Sequence, residues 1–388
     1  MGIPIIDFEK HNNEVKEIIS AYYNNYQNKR IIMSIACNPR MILLDSRLNT
    51  GKYTFKQYFE NPDIMTEVQM QFIEYRDTAL IYDHVMGLDY ISFGLYPDFQ
   101  NVMEPNWLGC PIKYHDNNDP GTGSILNDEN KYDYIKTPLE PLSGIMGKAV
   151  EYYEYFKELQ QKGYSYLGKP ISFVYGAGAG TDGPFTNACS VRGTTEMCID
   201  LYCDTEYAME LLNYITENTI TRIKAIRKAY GQPEKSDTFY LADDSIALLS
   251  LEDYKRFVLP FHKRLYEELS TGEKPSGIHL CGDATRHFKT MVEELNANNF
   301  DTGFPVNHGA LLQKLGRDVQ ISGGVHVDIL LNGTPEQVAA ETKRILEDVK
   351  PYSRSFVIKE ANNLSPGTPP ENIHAMYNTV KKYGWFNT

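Results

Sequence analysis

The chain has 388 residues, 42% of them hydrophobic and 23% charged, enough for one large globular domain with a substantial core. Its formal net charge of -13, with no basic cluster, argues against binding to nucleic acid or to an anionic membrane, since both depend on Lys and Arg neutralising phosphates. No apolar run approaches the roughly 20 residues that span a bilayer.

The N-terminus, MGIPIIDFEKHNNEVKE, lacks a basic segment followed by an apolar one, so a cytoplasmic location is expected. Cys37, Cys110, Cys189, Cys198, Cys203 and Cys281 are scattered along the chain and read as reduced thiols. Residues 1–30 suggest an added helical layer. From there β-like runs alternate with helical stretches: Ile31 to Ala36, Tyr90 to Leu95, Ile171 to Tyr175, Thr238 to Leu241, Gly277 to Leu280, Asp301 to Pro305, Val319 to Gly323 and Ser355 to Lys359. Amphipathic segments such as Asp204 to Tyr230, Leu251 to Leu269 and Pro335 to Val349 separate them. This alternation predicts an α/β protein with a parallel sheet, and eight strands suit a closed (β/α)8 TIM barrel over residues 31–388. Residues 97–145, rich in Pro, Gly, Asn and Asp (HDNNDPGTGS), read as an irregular insertion over the barrel mouth.

Two helix starts are marked. Ser250 with Asp253 forms a capping box with Asp in place of Glu, ahead of a segment that Pro260 should kink, and Thr334-Pro335-Glu336 opens the other. Gly178-Ala-Gly180-Thr-Asp-Gly183 matches G-x-G-x-x-G, but Pro184 follows at once and no second nucleotide-binding half exists. A flexible active-site loop is the better reading.

Barrel enzymes work at the C-terminal ends of their strands, and here those ends are polar. In GIHLCGD, alternation points His279 and Cys281 the same way, as packing partners in a buried strand or as two arms of a metal site; zinc suits imidazole with thiolate. Glu360 and Asn362 share a face on the last strand and offer a third ligand. Asp243 and Asp244 either cap a turn or serve a site. His308 and His326 suit hydrogen-bonded loop positions, Asp253 a helix cap, and Cys198 with Cys203 simple packing.

Four stretches, GPFTNACSVRG, IHLCGDAT, QISGGVHVDILLNGTPEQV and SPGTPPENIHAMYNTVKKYG, resemble the uroporphyrinogen decarboxylase superfamily, in particular its zinc-dependent methyltransferases that work with corrinoid proteins. The decarboxylase itself fits less well, because its arginine-rich N-terminal motif has no match; ACNPRMILLDSRLNTG, with Arg40 and Arg47, stands there instead. The resemblance implies that zinc is held by His279, Cys281 and a distant Cys. Asn362 occupies that Cys position, so Glu360 is the expected third ligand, with Asp244 in reserve.

It further implies transfer of a methyl group from a small methylated donor, for preference a methoxylated aromatic ether, to Co(I) of a separate corrinoid protein. The cobalamin would come from that partner, since this chain lacks D-x-H-x-x-G. Asp243, Asp244 and Asn307 would orient the donor. Tyr96, Trp107 and Phe185 would wall its ring, and His326 and Asn362 would bind it. The alternatives are methylation of a thiol from methylcobalamin, a metal-free decarboxylase, and a barrel retained only for binding.

Overall fold

The computed structural model describes residues 6–386, so residues 1–5 and 387–388 of the two expected segments lie outside it. Eight strands in barrel order are β1 (Ile32–Met33), β2 (Phe93–Leu95), β3 (Lys169–Val174), β4 (Tyr240–Ala242), β5 (Ser276–Leu280), β6 (Ala297–Thr302), β7 (Gln320–His326) and β8 (Val357–Ala361). Strands β4 to β8 pair in sequence, and β8 then pairs with β1, all in parallel. Strands β2 and β3 form a second parallel pair. The ladder is interrupted at two seams, β1/β2 and β3/β4; at the second, the Ala242 amide donates to the Thr181 carbonyl at 2.9 Å.

Every expected strand is present, with shifted bounds. The largest shift is in β6, which runs through Ala297-Asn-Asn-Phe rather than on to Pro305. Its first residues look like a turn in sequence, yet Ala297 and Phe300 are buried and supply its outward packing. Proline lacks the amide a ladder needs, so the chain leaves the sheet before Pro305. A close approach also fixes this bend: a Cβ on Gly303 would sit 1.6 Å from the Cys281 carbonyl oxygen.

The helices form because their apolar residues recur on one face and their ends are capped. Thr334 and Gln337 make a reciprocal capping box at the start of Pro335–Val349, whose buried face is Val338, Thr342, Ile345, Leu346 and Val349. Ser250 accepts from the Asp253 amide as expected, and a π-helical turn over Tyr254–Val258 absorbs the missing donor of Pro260 before the helix resumes at Leu259–Leu269. The N-terminal helix Phe8–Tyr23 is fastened to the barrel by Asn12, which bonds both backbone groups of Met86, and by the Tyr22 hydroxyl on the Ser355 carbonyl.

Within residues 97–145 the chain is less irregular than its composition suggests. Ile112–His115 and Asn118–Thr122 form an antiparallel hairpin around Asp116-Asn117, and Arg40, just after β1, pairs with Asp119 at 3.0 Å. That contact ties the hairpin to the C-terminal end of the barrel. No helix among the described residues is long and apolar enough to cross a membrane.

Candidate metal centre

In register, His279 on β5 lies beside Asp301 on β6 and Ala242 on β4. The inward face of β5 presents His279, and Cys281 follows two residues later, as period-two alternation requires. The turn after β4 delivers Asp244. One ligand atom each from Asp244, His279 and Cys281 lies within 4.8 Å of the others. His279 Nε2 is 2.9 Å from Cys281 Sγ, and the Cys281 amide donates to Asp244 Oδ1 at 2.6 Å.

A second set of charges supports the imidazole. His279 Nδ1 donates to Asp301 Oδ2 at 2.8 Å, and Lys359 on β8 reaches both oxygens of Asp301, at 2.8 and 3.1 Å. Burial lowers the His279 pKa, but the hydrogen bond and charge of Asp301 outweigh it and leave the group above its ordinary value. Burial works against the Asp301 carboxylate, yet His279 and Lys359 hold its pKa below the usual range. Burial pushes the Cys281 thiol up, and the Asp244 carboxylate adds to that shift.

These residues fit a bound zinc ion. Sulfur, nitrogen and oxygen donors are the set zinc takes, three protein donors leave a coordination position free, and a carboxylate behind the ligating imidazole is the usual outer support. The chemistry that raises the Cys281 thiol in the protein alone is the kind a dication reverses, because it stabilises thiolate and carboxylate together.

Glu360, the expected third ligand, does not join the trio. Alternation along β8 sends Lys359 towards Asp301 and turns Glu360 to the end of β1, where Oε1 accepts from the Ala36 amide at 2.9 Å and lies 3.7 Å from Lys359 Nζ. It is fully buried, and burial raises its pKa to about 8. Asp244 stands beside His279 and Cys281 in its place.

The remaining expectations divide. Asp243 is fully buried and caps the helix Pro184–Arg192, accepting from the amides of Phe185 and Thr186 at 3.2 and 2.8 Å. That helix does begin directly after the glycine-rich loop, but its first amides are spent on Asp243 rather than left for a phosphate. Nor is the loop free: the Asp182 amide donates to Glu104 at 2.6 Å, and Arg222 donates to the Gly180 carbonyl at 2.8 Å.

Asn307 is an exposed helix cap that accepts from the Ala310 amide, far from an orienting role. Phe185 is fully buried and Trp107 nearly so, its ring beneath the Arg222 guanidinium at 5.0 Å; both are core rather than a substrate wall. Tyr96 is half-buried, with its backbone tied to Gln69. His326 accepts from the Asp328 amide and packs edge-on against Phe304, 4.0 Å between centroids. Asn362 takes a left-handed backbone, φ 96°.

Four residues around the trio carry no expectation from the sequence: Asp301, Lys359, Thr186, whose hydroxyl donates to Asp243 at 2.7 Å, and His262, which faces Asp243 at 2.9 Å. The first two carry a signal in hindsight, since a charge inside an apolar barrel strand needs a partner across the sheet. The other two meet Asp243 through contacts between separate elements and leave no local mark in the sequence.

The geometry therefore defines a class, an α/β barrel with a sulfur, nitrogen and oxygen trio at its strand ends. Comparison with known families matches residues 16–383 to uroporphyrinogen decarboxylase (URO-D), and the chain belongs to this family. It is 32% identical over 203 residues to a methylated-thiol–coenzyme M methyltransferase of Methanosarcina mazei, an alignment covering 51% of each chain, so it spans about half the length of that relative. A methylcobamide:CoM methyltransferase of Methanosarcina acetivorans is 24% identical over 299 residues, 74% of this chain and 78% of the other. A solved methyltransferase from Methanosarcina mazei superposes with a TM-score of 0.63 at 16% identity, covering 95% of this chain and 98% of its own, which establishes the shared fold.

Proposed function

We propose that the chain is a zinc-dependent methyltransferase that takes a methyl group from a small methylated donor, a methoxylated aromatic ether for preference, and gives it to Co(I) of a separate corrinoid protein. The observation that carries this reading is the meeting of Asp244, His279 and Cys281 at the ends of adjacent strands. The names of the relatives support the reaction class, since each describes methyl transfer involving coenzyme M.

Zinc held there would supply Lewis acidity that draws charge from the donor heteroatom as the methyl group departs. The chain's residues prepare for this. Asp301, accepting from Nδ1, fixes the imidazole so that Nε2 faces Cys281, and Lys359 keeps Asp301 ionised. The Cys281 amide holds the Asp244 carboxylate against the thiol. A single thiolate alongside imidazole and carboxylate favours a harder substrate atom than two thiolates would, which is the argument for oxygen.

A thiol substrate is the second reading, favoured by the relative named as a methylated-thiol enzyme. The test is to incubate zinc-loaded protein with a Co(I) corrinoid protein and a panel of methoxylated aromatics, methanol, methylamines and methylated thiols, following cobalt absorbance. Cobalt methylation by methoxylated aromatics supports the proposal. Cobalt methylation by methylated thiols alone, or thiol methylation from added methylcobalamin, supports the second reading, and neither kind of transfer from a fully loaded protein refutes both.

A further inference from the structure

Asp244 belongs to a short turn that is anchored on both sides by one hydroxyl. Before it, the fully buried Asp243 accepts from Thr186 Oγ1 at 2.7 Å, besides the amides of Phe185 and Thr186. After it, the Ser245 amide donates to the same Thr186 Oγ1 at 2.9 Å. The other carboxylate oxygen of Asp243 faces His262 Nε2 at 2.9 Å, and His262 is fixed in turn by the Tyr254 hydroxyl at Nδ1, 3.2 Å away. His262 and Tyr254 are fully buried, so no water replaces these bonds at low cost.

The helix that carries Thr186 is itself locked to β4. Gly183 precedes it at φ +80°, and a Cβ there would lie 2.4 Å from the Ala242 carbonyl oxygen. Thr186 is therefore placed by the end of β4 and, through its hydroxyl, places the residues either side of Asp244. Asp244 itself touches neither Thr186 nor His262 by any hydrogen bond among the described residues; it accepts instead from the Cys281 amide.

We propose that Thr186 is a positioning residue for the metal ligand Asp244, acting through Asp243 and Ser245, with His262 as the second anchor of Asp243. The proposal rests on the reading above that Asp244 is a ligand. Its physical basis is that a turn held on both flanks keeps its carboxylate near the thiol without paying an ordering cost when metal arrives.

The test measures zinc affinity by competition with a chromophoric chelator, and the visible spectrum with cobalt(II) in place of zinc, in the full-length protein. Thr186→Val, which keeps shape and removes the hydroxyl, should weaken zinc binding about 10–100-fold and alter the cobalt spectrum, whereas Thr186→Ser should restore both. The double variant Thr186→Val/Asp244→Ala should bind no more weakly than Asp244→Ala, because Thr186 acts through Asp244. If Thr186→Val fails to fold by circular dichroism, His262→Leu replaces it and His262→Gln, which retains a donor, is the rescue. Wild-type affinity in the hydroxyl-less variant beside a weakened Asp244→Ala overturns the positioning role and leaves the ligand assignment standing. Additive losses in the double variant overturn it as well. Wild-type affinity in Asp244→Ala defeats the ligand reading and this proposal with it.

Discussion

Glu104→Ala should lower the melting temperature by several degrees, although Glu104 lies outside the metal trio. Arg222 is 1% exposed and donates to Glu104 Oε1 at 2.6 Å; Glu104 Oε2 accepts from the Asp182 amide at the same distance. Removing the carboxylate strands a buried guanidinium over Trp107 and frees the loop after β3. Breaking one side of such a pair costs about 3–5 kcal/mol. With roughly 2.1 cal/mol/K of unfolding entropy per residue over 388 residues, the total is about 0.8 kcal/mol/K, and the melting temperature falls by about 4–6 °C. Scanning calorimetry with a reversibility check measures it. Glu104→Leu combined with Arg222→Met removes both charges and should recover most of the loss, because neither group is then left unpaired. A shift below about 1 °C for Glu104→Ala, or a double variant no better than the single one, would show that the charges are solvated and the reasoning wrong.

Other outcomes follow from the same geometry. Asp244→Ala should weaken zinc binding by at least the roughly 10–100-fold that loss of an outer partner brings, by chelator competition, while Glu360→Ala leaves it nearly intact, and the reverse order would restore Glu360 as ligand. Asn307→Ala should cost about 0.5–2 kcal/mol in denaturant unfolding, as loss of a helix cap does, with zinc affinity and turnover unchanged. Burial pulls His287 and His308 down to about 4. The unfolded chain takes up these protons near pH 6.5 and the folded one does not until about pH 4, so stability is full above about 6.5 and declines by roughly 3 kcal/mol per histidine on the way down. Urea titrations from pH 7 to about 4.5 should show that slope, and His308→Gln should flatten it; an unchanged slope in the variant would exclude His308 as a source.

The barrel was legible because strand alternation with amphipathic helices is a long-range pattern that single residues do not spoil. His279 and Cys281 were legible for a local reason, their spacing on one strand. Glu360 falls on the other face because the sequence does not show the register of β8: one residue of offset exchanges Lys359 for Glu360 at the inner surface. Phe185 and Trp107 show a different limit, since an aromatic side chain looks the same in sequence whether it lines a cavity or fills the core. Asp243 and Asp244, adjacent and chemically identical, part company only through what each meets, a helix start in one case and a strand end in the other.

The two interrupted seams have a mechanical corollary. Asp244, His279, Cys281, Asp301 and Lys359 all ride on the continuous run of strands from β4 round to β8, and neither break falls between any two of them. The β3/β4 break is spanned by Thr186, on the helix after β3, which holds both neighbours of Asp244, whereas parting the wall at the β1/β2 break would widen the entrance while the three candidate donor atoms kept their spacing.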